Sequence, residues 1–109
     1  MRTIIQGDNK PIVLTFDESV VNIKEFSAIL CNGTNILKSW DYNTVIIDND
    51  TISLPLTQEE TMEFTPKYIE LEVKLVSNED IEFFNKVNFE VIPRCDKTVF
   101  KIGGATVWN

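Results

Sequence analysis

Hydrophobic and polar residues alternate most regularly between Tyr68 and Val76, where Ile69, Leu71, Val73 and Leu75 are separated by Glu70, Glu72 and Lys74. A period of two marks a strand with one face on a core and the other in water. Just upstream, Thr57-Gln58-Glu59-Glu60 has the spacing of a capping box, in which the Thr57 hydroxyl accepts from the Glu60 amide and the Glu60 carboxylate reaches back. This predicts one short helical turn near residues 58–62, with Pro66 barring any longer helix.

The same reading extends along the chain. Residues 2–6 predict a first strand, and Gly7-Asp8-Asn9-Lys10 a turn. Residues 11–16 predict a second strand with Ile12, Leu14 and Phe16 on one face. Val20, Val21 and Ile23 are expected to anchor the connection that follows. Phe26, Ala28 and Leu30 point inward from the next strand, which ends at Asn32-Gly33, expected to be the central pair of a type I′ hairpin turn. Residues 36–40, 44–47 and 51–54 predict three more strands. After Tyr68–Val76, the polar run Ser77-Asn78-Glu79-Asp80 turns the chain into one long strand over 81–92. On that strand Ile81, Phe83, Val87, Phe89 and Val91 share the core face, Asn85 interrupts it, and Phe84 falls on the polar face.

About eight short strands punctuated by turns predict an all-β fold, an antiparallel two-sheet immunoglobulin-like sandwich. The Cys…Trp…Cys spacing of antibody domains is missing, so the likeness is one of architecture. The sandwich is expected over residues 1–93. Residues 94–109 read either as an extra strand folded back on it, or as a frayed end, or as an arm reaching another subunit through Val99, Phe100 and Trp108.

Composition narrows the chemistry. The chain has 109 residues, enough for one domain with a core of its own, and a net charge of −7 without any basic stripe. Both nucleic-acid phosphates and anionic membrane surfaces call for clustered Lys and Arg, so neither is an expected partner. With no histidine, the commonest general base and metal ligand is missing. Cys31 and Cys95 lack metal-ligand spacing and read either as a disulfide or reactive thiol, or as small apolar residues of a reducing compartment. No stretch has the pattern of a secretion signal or the length of an apolar membrane span.

Acidic pairs at Asp17-Glu18, Asp48/Asp50 and Glu79-Asp80 sit in turns without calcium-loop spacing, and Glu70 and Glu72 lie on the solvent face. The sequons Asn32-Gly33-Thr34 and Asn49-Asp50-Thr51 read as plain turns. Gly103-Gly104 does not form a phosphate loop. The expectation is a protein that is not an enzyme and uses no cofactor or metal.

Four segments carry a resemblance. They are Thr3-Ile4-Ile5-Gln6-Gly7-Asp8 running on to Ile12-Val13-Leu14; Ile52 to Thr61, with its Leu-Thr-x-Glu-Glu-Thr turn; Lys67 to Leu75; and Val87-Asn88-Phe89-Glu90-Val91-Ile92-Pro93. In this order they resemble the N-terminal domain of tailed-phage baseplate upper proteins and related small phage virion β-sandwich proteins. Residues 63–67 replace the Gly-containing turn of that family. The resemblance implies a structural virion subunit (baseplate or tail accessory, head-fibre or capsid-associated), made in the bacterial host cytoplasm. Such a subunit docks on other virion proteins and on itself, here through Val99, Phe100, Ile102, Val107 and Trp108, with Phe84 as a further patch. The alternative is a small carbohydrate- or host-protein-binding module in which exposed Trp40, Tyr42 and Phe84 stack against a sugar.

Overall fold

A computed structural model describes residues 2–84 and 86–95. In chain order the strands are β1 (Arg2–Ile5), β2 (Ile12–Thr15), β3 (Glu25–Asn32), β4 (Asn35–Asp41), β5 (Ile46–Asp48), β6 (Thr51–Leu54), β7 (Tyr68–Ser77), β8 (Asp80–Phe83) and β9 (Val87–Ile92). A 3-10 turn, Tyr42–Thr44, joins β4 to β5, and the short helix α1 (Gln58–Met62) joins β6 to β7. The larger sheet runs β1-β9-β7-β3-β4, with β8 also on β7; the smaller runs β2-β6-β5. The fold is mostly β in two sheets, as the alternation predicts.

The core draws on both sheets. Ile12, Leu14, Ile52 and Leu54 come from the smaller sheet; Phe26, Ala28, Leu30, Ile69, Leu71, Val73, Leu75, Phe89 and Val91 come from the larger. Leu56 and Phe64, on either side of α1, are buried with them. Each fully buried Leu or Ile removes enough apolar surface from water to contribute about 1.5–3 kcal/mol.

Helix α1 forms as its sequence requires. The Thr57 hydroxyl accepts from the Glu60 amide at 3.1 Å, and the Glu60 carboxylate accepts from the Thr57 amide at 2.9 Å. The capping box satisfies donors that a five-residue helix would otherwise leave open. Thr61 then fixes α1 to the β1–β2 turn. Its hydroxyl accepts from the Gly7 amide at 3.0 Å and lies 2.7 Å from the Asp8 carbonyl. Beside it, buried Gln6 donates to the Phe64 carbonyl at 2.9 Å and accepts from the Arg94 amide at 3.1 Å.

Three expectations are corrected. The sheets are not wholly antiparallel: β1 runs parallel to β9, from Arg2 opposite Phe89 to Ile5 opposite Ile92. The Gly7 turn delivers β2 to the other sheet, so β1 is not its hairpin partner. The β3–β4 turn has Gly33-Thr34, not Asn32-Gly33, at its centre, since Asn32 already pairs with Asn35. Gly33 has φ +60° and Thr34 is not in the positive-φ region, which is the signature of a type II′ turn. A pair with positive φ at both positions occurs instead at Asn78 and Glu79, between β7 and β8. Third, residues 81–92 do not form one continuous strand, and the break decides what the surface displays.

Candidate docking surface

Strands β8 and β9 lie on the same side of β7 but in different register. Leu71 stands opposite Val87, and Lys74 opposite Phe83. The Phe84 amide donates to the Val73 carbonyl at 3.1 Å, so one residue separates Val73 from Leu71 while two separate Phe84 from Val87. The extra residue is a β-bulge, and one residue of slip moves every side chain beyond it to the opposite face.

The expected facing of residues 81–84 is therefore reversed. Ile81 pairs with Val76 and Phe83 with Lys74, on the outer face of the sheet, where Ile81 is 62% and Phe83 75% exposed. Glu82 pairs with Leu75 on the core side. Phe84 also turns to the core side, against Phe16 in an edge-to-face pair with ring centroids 5.3 Å apart and planes at 74°. It remains 41% exposed because this end of the sandwich is open. The two-residue turn at Asn78-Glu79 fixes the register of β8, with Ser77 opposite Asp80, while buried Phe89 and Val91 fix β9, so the slip falls between them. In the sequence, the apolar residues 81, 83, 87, 89 and 91 are all odd-numbered, so apart from the interruption at Asn85 the alternation hides the slip. The only signal is the adjacent pair Phe84-Asn85, apolar and polar in the wrong phase.

The two outward side chains lie beside Val76 on β7, with Glu25 and Ser27 of β3 on the same face of the sheet. Together with Lys74 they border a shallow cavity of about 240 Å³. An exposed Phe forgoes stabilisation that burial would give, and neighbouring exposed hydrophobics mark surfaces that meet other molecules. Other large exposed apolar side chains, Ile36 on β4 and Ile46 on β5, stand on strands at the outer edges of their sheets.

Of the residues expected to dock, Phe84 is the one described, and it lies beside Phe16 and not on the outer face. Val99, Phe100, Ile102, Val107 and Trp108 lie outside the described residues. Trp40 does not belong to an exposed platform: it is buried and its indole N–H donates to the Pro55 carbonyl at 2.9 Å. Tyr42, on the 3-10 turn, is exposed.

The ionisable groups are tied to structure. Lys38 pairs with Glu60 of α1 and lies over the Trp40 ring, 5.8 Å from its centroid. Burial works to raise the Glu60 pKa, but the hydrogen bonds from Lys38 and Thr57 and the Lys38 charge outweigh it and hold the carboxyl below its ordinary value. Cys31 is buried and Cys95 exposed, both as free thiols. Burial first, then the hydrogen bond to Glu72 and the charges of Glu72 and Glu70, push the Cys31 thiol up against a small opposing effect of Lys86. No group of three or more Cys, Asp or Glu side chains is placed to hold a metal ion among the described residues, and no helix among them is long and apolar enough to cross a membrane.

Comparison with protein families, with curated proteins and with solved structures finds no match to this chain.

Proposed function

We propose that this chain is a non-enzymatic structural subunit that works by docking on other proteins and on copies of itself. One observation carries the proposal: the bulge between β8 and β9 turns Ile81 and Phe83 out of the core and sets them side by side on the sheet surface. A second protein covering them recovers the burial that folding forgoes.

The strand order supports the immunoglobulin-like reading. Strands β9-β7-β3 follow the G-F-C order of such sandwiches, β4 lies where an additional strand joins that sheet, and β2-β6-β5 follows B-E-D. The setting in a phage virion, as a baseplate, tail accessory, head-fibre or capsid-associated subunit made in the host cytoplasm, rests on the resemblance of the four sequence segments. Residues 94–109 enter the same proposal as an arm. The sugar-binding alternative is weakened by the burial of Trp40, which removes one ring from its platform.

Sedimentation velocity over a range of concentrations tests the reading. The full chain is expected to associate reversibly, and Phe83→Ser to shift that association to at least tenfold higher concentration with unchanged thermal unfolding. A chain that stays monomeric at millimolar concentration, or a Phe83→Ser variant that associates as the parent does, overturns self-docking through this face.

A further inference from the structure

The bulge that turns Phe83 outward also places Glu82 and Phe84 at the open end of the sandwich. There they border a groove of about 280 Å³ between the segment following β2 and the β7–β8 hairpin. Its floor is apolar: Val20 and Ile23 are buried core residues that anchor the loop, and Leu75 stands opposite Glu82. One side is closed by the edge-to-face rings of Phe16 and Phe84. The rim carries Asp17, Glu18 and Glu82.

Among the described residues, no cation lies within ion-pair distance of these three carboxylates. The ion pairs among the described residues are Lys38–Glu60 and Lys86–Glu70, both elsewhere. Arg2 lies beyond the Phe16–Phe84 pair, where it lines a separate groove together with Asp17, and forms no ion pair with it. The β7–β8 register, with Glu82 opposite Leu75, sets Glu82 on the core side. An apolar floor, a half-open aromatic pair and an acidic rim without an ion-pair partner among the described residues therefore coincide.

We propose that this groove docks a protein segment carrying Lys or Arg among aliphatic residues. The aliphatic residues lie on Val20, Ile23 and Leu75. The cationic side chain runs its methylene stem along the Phe84 ring and brings its charge to Glu82, Asp17 and Glu18. A neutral apolar peptide gains nothing from the rim, and an acidic one is repelled by it. The charge complementarity speeds encounter and selects the partner. The groove lies on the core side of the hairpin, opposite to Phe83, so this site stands or falls separately from self-association.

The test is a nitrogen-15 NMR titration of the full chain with a capped hexapeptide of alternating lysine and leucine. The controls are the same peptide with glutamate in place of lysine, and free spermidine. Expected are shifts confined to the amides around Phe16, Ser19, Leu75 and Phe84, binding that weakens as salt rises, and a loss of about three- to tenfold in affinity in Glu82→Gln. Phe84→Leu, which keeps the groove apolar, is expected to weaken binding less than Glu82→Gln. Shifts spread over the whole acidic surface, equal binding of the glutamate peptide, spermidine binding as tightly as the peptide, no shifts at all, or an unchanged affinity in Glu82→Gln would each overturn the proposal.

Discussion

The Thr61 hydroxyl donates to the carbonyl of Asp8 at 2.7 Å and accepts from the amide of Gly7, fifty-four residues away in the chain. This one buried side chain joins the helical turn between the sheets to the turn that carries the chain from β1 to β2. Both backbone groups would lose their partner with it. Thr61→Val, which keeps the shape and removes the oxygen, is expected to cost about 1–3 kcal/mol. Thr61→Ser should cost clearly less. Urea unfolding followed by tryptophan fluorescence gives both values.

Two positions with positive φ have opposite forecasts. Gly7 has φ +85°, and a Cβ there would come 3.1 Å from Met62 Cε. Gly7→Ala should destabilise by about 1–2 kcal/mol from the backbone conformation alone, and Met62→Ala should not restore that part. Glu79, at φ +71°, already bears such a conformation in the β7–β8 turn. Glu79→Gly relieves it and should raise the thermal midpoint, a change calorimetry can measure.

The Lys38–Glu60 pair makes stability depend on acid. Because the folded-state pKa of Glu60 is held below its ordinary value, its contribution is fully present above the unfolded value, about 4.3. It is lost as pH falls through the lower folded value. Stability measured against pH should therefore drop less steeply below about pH 4.3 in Glu60→Gln than in the parent. An identical acid limb in the two proteins would mean that the pair contributes nothing.

The two thiols should be separable by reaction rate. Cys95 is exposed, whereas Cys31 is buried and its thiol is held in the protonated form by burial and by Glu72 and Glu70. Near neutral pH, Ellman's reagent should label one thiol promptly in the native protein and the second only on denaturation. Glu72→Gln should accelerate the slow thiol, since it removes a charge and weakens the acceptor that favours the protonated form.

Legibility from sequence followed the strength of local pattern. The alternation in Tyr68–Val76 and the capping box at Thr57 are each settled within a few residues, and both form as expected. The pairing of β1 with β9 depends on residues at opposite ends of the described chain, which no local period reports. The facing of Ile81, Phe83 and Phe84 failed for a different reason. The period of two is intact on both sides of the bulge, and only the partner strand reveals that the phase has changed. Parity with Phe89 and Val91 groups Ile81 and Phe83 on the core face and leaves Phe84 on the other; the structure exchanges the two.

The parallel seat of β1 against β9 has a consequence for how the molecule is made. During synthesis β1 emerges before the other described strands, yet among the described residues its main-chain neighbour in the larger sheet is β9, the last of them in the chain. It must wait, unzipped, while the seven strands between are made, and closing so long a loop is entropically slow. Its arrival is the fastening step of the fold. Until then, a vacant berth beside β9 is open to the corresponding ribbon of another nascent copy.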